Sequence, residues 1–256
     1  MTNAVRLSLT IISSVLLGVV FTYGMIELPA AGARIQMYGY LLTDLAVMER
    51  HAVNTVSGVL FDLRALDTLG EMLVIFTASA GINVLLRMIQ NETELKAPKQ
   101  TRGNRSLVPV SDAIRTVGFS MVTATALYGV YLTVRGHLTV GGGFQGGVVI
   151  ASAFILLYLS GRYKVQKAAG HEDTLDVVDS IGVGGYIVTG LAGLALAGAF
   201  LANILPLGQM GNLISSGMVP ILSILVGLEA FAAVTTIVKE MQEQQHERGG
   251  EYDRTG

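Results

Sequence analysis

The run Asp67-Thr68-Leu69-Gly70-Glu71-Met72-Leu73-Val74-Ile75-Phe76-Thr77-Ala78-Ser79-Ala80-Gly81-Ile82-Asn83-Val84-Leu85-Leu86-Arg87 decides the fold class. Its length matches the roughly 20 mostly apolar residues that a helix needs to cross ~30 Å of hydrocarbon. The composition of the whole chain agrees with it. Of 256 residues, 51% are hydrophobic and 14% charged, and the mean hydropathy is strongly positive. Those values belong to an all-α, polytopic membrane bundle rather than to a soluble enzyme. A net charge of -2 argues against nucleic acid as a partner. With no cysteine, the chain cannot supply a disulfide, an Fe–S cluster or a thiolate metal site, so any redox chemistry must belong to another subunit.

Gaps between charges predict about six spans. The first is Leu7 to Ile26, closed by Leu28-Pro29. It is too long for a signal peptide, and no convincing small-residue cleavage site follows it. The second covers about Asp67 to Arg87, the third about Thr116 to Val134, and the fourth most of Val140 to Gly161. A charge-free tract from Ser180 to Leu228 is too long for one helix; Asn203 to Gly211, with Pro206, divides it into a fifth span and the start of a sixth. The sixth continues past Glu229 to near Lys239.

With six spans the termini share a side. Of the 17 Lys and Arg residues, Arg34, Arg50, Arg64 and Arg135 fall on the opposite side and all the others on the side of the termini. The positive-inside rule therefore makes both termini cytoplasmic in a multi-pass inner or plasma membrane protein. A basic, Pro- and Gly-containing stretch, Asn91 to Leu107, separates a two-span part (residues 1–90) from a four-span part (108–241). A polar tail (242–256) follows and is expected to be frayed or solvated.

Charged residues next to so much apolar sequence need explaining. Asp67 and Glu71 are one helical turn apart and share a face near the outer end of span two. Asp67 suits a capping carboxylate at a helix N-terminus. Glu71 lies roughly 6 Å further in, where a lone carboxylate is costly and calls for a partner, a wet cavity, a proton or a cation. Paired carboxylates suit a hard cation such as Na⁺, bound transiently, and H⁺ competes for the same oxygens. Asp62 is a further possible ligand, and Arg64 is either a tethered counter-charge or half of a static pair with Asp67. Glu229, well inside span six, is a candidate for the same pathway; the structural alternative is a hydrogen bond to a neighbouring helix.

The third feature is Gly136-His137-Leu138-Thr139-Val140-Gly141-Gly142-Gly143-Phe144-Gln145-Gly146-Gly147. Its glycines permit close backbone approach or an irregular turn before a helix. It lacks the Lys-Ser/Thr of a P-loop and the spacing of a dinucleotide fingerprint. His137 is either a satisfied loop residue or a proton carrier at the outer edge. His51 offers less, and His171 and His246 are expected on the cytoplasmic surface.

His137 to Gly147 resembles the signature of the B subunit (MnhB-like) of Mrp-type multisubunit Na⁺/H⁺ antiporters, His-x-x-Pro-Gly-Gly-Gly-Phe-x-Gly-Gly, and Ser111 to Met241 fits the four spans of that protein. Asn54 to Leu86 resembles the C-terminal segment of the large antiporter protein of the same complexes, whose Asp-x-Arg-x-x-Asp-Thr-Leu-Gly-Glu falls on Asp62, Arg64, Asp67, Thr68, Leu69, Gly70 and Glu71. Val140 departs from the pattern by replacing Pro, and two modules that are commonly separate are fused. Equivalent subunits occur in membrane-bound hydrogenases and related sulfur-reducing complexes. The resemblance implies an accessory subunit in Na⁺ and H⁺ traffic, not an enzyme and without a cofactor of its own. No Lys lies inside any span, so larger antiporter-like subunits would have to supply the proton channel. The other readings left open are an ion-pumping subunit of a redox-driven complex and a scaffold that only packs helices.

Overall fold

The computed structural model describes residues 3–26, 37–96, 111–160 and 172–252, which are helical apart from short connections. In chain order they are α1 (Asn3–Ile26), α2 (Met37–Asp44), a π-helical turn (Leu45–Glu49), α3 (Thr55–Gly58), a second π-helical turn (Val59–Leu63), α4 (Ala65–Lys96), α5 (Asp112–Val134), α6 (Gly143–Leu159), α7 (Glu172–Ala197) and α8 (Val219–Tyr252). Among the described residues, four segments are long and apolar enough to cross a membrane: Ala65–Leu86, Asp112–Val134, Thr174–Ala197 and Val219–Gln242. Two shorter apolar helices, Ile11–Ile26 and Gly143–Leu159, are present as well. The all-α membrane bundle expected from composition is the fold observed.

Met1–Leu41 and Leu42–Gly256 form two compact units. In the second, α8 is the hub and packs against α4, α5, α6 and α7. Its spanning stretch is 56% buried, against 11% for that of α4, so α4 depends on lipid or partner chains to cover it. The main apolar core lies where the first turns of α4 and α8 meet α7 and includes Phe61, Leu69, Met72, Tyr186, Leu222 and Val226. The Tyr186 hydroxyl is not stranded there, because it donates to the Ala65 carbonyl at 2.9 Å.

Small residues set the helix spacing. A Cβ on Gly129 of α5 would fall 2.9 Å from the Gly146 carbonyl oxygen of α6, and one on Gly147 would fall 2.8 Å from Ala230 Cβ of α8. In a bilayer, where helix association relies on close packing, such contacts hold the bundle together.

Several element boundaries differ from the expectation. The fifth spanning helix begins at Glu172 rather than Ser180 and carries Asp176 and Asp179 inside it. Protein encloses Asp179, so an acid at this depth does not meet lipid. The break after α7 runs from Gly198 to Met218, longer than Asn203 to Gly211. It starts where Gly198 (φ +77) ends the helix in a left-handed cap. The last span, Val219–Gln242, ends close to Lys239 as expected, but its helix continues to Tyr252 through Glu and Gln residues that favour helix. Asn91 to Lys96 of the basic stretch is helical as the end of α4. Leu28-Pro29, Pro98 to Leu107, His171 and residues 253–256 lie outside the described residues, as does the His246 side chain.

Candidate functional site

The acidic motif at the start of α4 splits by environment. Asp62 is nearly enclosed, with 5% of its side chain exposed. It accepts a hydrogen bond from Asn203 Nδ2 at 3.0 Å and faces Arg50 Nε at 3.7 Å. Asn203 also receives the Met218 backbone N–H at 3.0 Å and donates to the Ser216 carbonyl at 3.1 Å. Asp62 thereby ties the second π-helical turn to the connection between α7 and α8. Asp67 sits in the first turn of α4, where the helix dipole favours an acid, and pairs with Arg64. Both partners of that pair are about half exposed. Glu71 is exposed on α4 and makes no ion pair with any described residue. The chain therefore does not bring Asp62, Asp67 and Glu71 to one point: Asp62 faces inward and the other two face outward.

The glycine segment is a packed joint. Gly141 (φ +143) and Gly142 (φ +153) hold conformations that a side chain strains, and they turn the chain into α6, whose N-cap is Gly142. A Cβ on Gly143 would strike the Ser223 carbonyl oxygen of α8, and one on Gly146 the Thr133 hydroxyl of α5. Phe144 packs against the apolar core and Gln145 is exposed. Val140, in the position of the signature's proline, is 94% exposed. Asn54 reaches across from the front of the chain: its amide donates to the Gly136 carbonyl at 2.6 Å and the Thr139 carbonyl at 2.9 Å. Its backbone N–H bonds the His137 carbonyl at 2.9 Å, and Ser57 Oγ donates to Gly136 at 2.7 Å. His137 is fully buried at this joint. Burial holds its imidazole below its ordinary pKa, partly opposed by the backbone of Asn212 and Leu213, so the ring is neutral near pH 7.

Glu229 lies ten residues into α8, about 15 Å along its axis. It is fully buried, and neither carboxyl oxygen has a hydrogen-bond partner among the described residues. Gly182 of α7 backs directly onto it. Asp179, one turn earlier on α7, is 7% exposed, and one of its oxygens also lacks a partner. The two carboxyl groups are near enough to repel each other. Sequence reading missed Asp179 by taking it for a residue outside the span. An acid three residues before a glycine on an apolar helix was the available signal.

Comparison with known proteins fits this architecture. A family model described as a domain related to the MnhB subunit of Na⁺/H⁺ antiporters matches residues 113–236. An uncharacterized protein of Methanocaldococcus jannaschii is 32% identical over 199 residues, 72% of this chain and 74% of that one. A probable K⁺/H⁺ antiporter A/B subunit of Rhizobium meliloti is 31% identical over 132 residues, which span 46% of this chain but 13% of that protein. Among solved structures, a chain of the membrane-bound sulfane sulfur reductase, an archaeal respiratory membrane complex, superposes with a TM-score of 0.64 at 30% identity. That match covers 93% of this chain and 98% of the other. A chain of the Mrp complex from Dietzia sp. shares the fold (TM-score 0.65, 23% identity, covering 94% of this chain and 26% of that one).

Proposed function

Because this chain belongs to the family related to the MnhB subunit of Na⁺/H⁺ antiporters, we propose that it is an accessory membrane component lining part of a cation or proton path. The chain is an Mrp-type, antiporter-like subunit, and its family is one of transporters rather than enzymes. The observation that carries the path reading is Glu229: a carboxyl group enclosed in the hub helix with both oxygens unpartnered. A buried charge in that position needs a proton, a cation or a group from another chain, and transport through the complex supplies the first two. The partners are larger antiporter-like subunits, and the exposed face of α4, with Asp67 and Glu71 at its outer end, is where such a partner would meet the path.

One observation favours a redox-driven parent complex. This chain corresponds to nearly the whole of one chain of the sulfur reductase complex, whereas it corresponds to small parts of the Rhizobium and Dietzia proteins. The electron-transfer step would then sit in partner chains, since this one has no cysteine for an Fe–S centre. The test is to purify the complex intact, assay bound iron, and compare Na⁺- and H⁺-coupled transport of wild type with Glu229→Gln. Copurifying iron identifies the redox-driven form and its absence the free-standing antiporter. An assembled Glu229→Gln complex that transports at the wild-type rate sinks the path reading and leaves a scaffold.

A further inference from the structure

A cleft of about 250 Å³ opens between α4 and α7. Ser79, Asn83, Asp176, Asp179 and Ser180 supply its polar lining, and Phe76, Ala80 and Val84 the rest. It lies on the Glu172 side of Glu229, which is the cytoplasmic side under the positive-inside assignment. Its volume admits several waters at ~30 Å³ each. Asp179 is the residue that belongs both to the cleft and to the surroundings of Glu229. It is more than nine-tenths buried and carries an unpartnered oxygen, and Asn83 on the facing wall has an unpartnered amide oxygen as well. From Asp179 to Gly182, the glycine seated against Glu229, is three residues, or about 4.5 Å of helix rise.

We propose that Asp179 is a proton relay connecting the α4–α7 cleft to Glu229, so that the cleft is the cytoplasmic entrance of the path. This rests on the reading that Glu229 belongs to the path and adds its direction and its mouth. The step is balanced by proton transfer alone. A hydronium ion in the cleft gives a proton to the Asp179 carboxylate and is left as water. The Asp179 O–H bond then breaks as a Glu229 O–H bond forms, and Asp179 returns to the carboxylate. Two acids that repel each other share one proton more readily than they carry two charges, which couples the two sites. The surrounding elements supply the remaining titratable groups. These are Asp176 and Tyr186 on α7, Lys239 and Glu240 on α8, Asp67 and Glu71 on α4 and Tyr158 on α6; α5 carries Asp112 and Arg115 in its first turns and Tyr128 and Tyr131 further along. Only Asp176 and Asp179 line the cleft.

The test uses the whole complex in proteoliposomes with Asp179→Asn, Asp179→Glu and Glu229→Gln. Asp179→Asn should lower proton-coupled transport by about tenfold or more, and Asp179→Glu should restore much of it, because the group rather than the shape is required. If Glu229→Gln abolishes transport and assembled Asp179→Asn does not change it, the relay is overturned while the path reading survives. If neither changes it, both fall. A second measurement needs no variant: dicyclohexylcarbodiimide, which modifies protonated carboxyl groups in apolar surroundings, is added to the wild-type complex and adducts are mapped by mass spectrometry. Adducts at Asp179 and Glu229 that increase as pH falls are expected. Their absence at every pH overturns the relay even if the variants do not assemble.

Discussion

Gly182 and Glu229 are in direct backbone contact across the α7–α8 interface: a Cβ on Gly182 would lie 2.7 Å from Glu229 Cβ and 2.9 Å from its backbone nitrogen. The acid is buried because the residue facing it has no side chain.

Gly182→Leu should therefore force the two helices apart and cost about 1–3 kcal/mol. Gly184→Ala, on the same helix with nothing within 4 Å, should cost nothing and stabilise by up to about 1 kcal/mol. Thermal unfolding of the purified complex separates them; equal losses would mean that the contact does not set the spacing.

Asp67→Asn should change stability little, within about 1 kcal/mol, because its pair with Arg64 is half exposed. Glu71→Gln should leave stability unchanged and lower Na⁺-coupled transport if the face of α4 meets the path. Transport equal to wild type in assembled Glu71→Gln would remove this residue from it.

Asp62→Ala and Asn203→Ala should each destabilise by about 1–3 kcal/mol, because each leaves a polar partner enclosed without its hydrogen bond. They should be non-additive in a double-mutant cycle, the mark of a shared interaction. Additive losses would count against the tie between the front of the chain and the α7–α8 connection.

His137 gives the joint a pH dependence. Its folded-state pKa is held below the ordinary 6.5, so folding favours the neutral ring. Stability is then complete above about pH 6.5 and is lost as pH falls through that value toward the folded pKa. Melting temperature measured between about pH 8 and about pH 5 should fall on the acid side, and the part due to this residue should vanish in His137→Gln.

The sequence made the bundle legible because charge gaps mark spans without any need of tertiary contacts. It failed at Asp179, because a rule that ends a span at the first charge cannot know that another helix covers that charge. For the same reason Asp62, Asp67 and Glu71 read as one cluster: spacing gives the shared face of a regular helix, but a π-helical turn ends at Leu63 and rotates Asp62 away from the other two. The packing role of Gly143, Gly146 and Gly147 was within reach as close approach; which helices approach was not. The importance of Asn54 had no local signal, since its partners lie more than 80 residues away.

Those hydrogen bonds from Asn54 and Ser57 to the Gly136–Thr139 backbone have a consequence for the architecture of the chain. They join the part before the basic stretch to the part after it without using the peptide that connects them. Fusion therefore adds local concentration rather than the joint itself. A protease cut within residues 97–107 should leave two fragments that still migrate together, and two genes encoding the halves separately would face no new recognition problem.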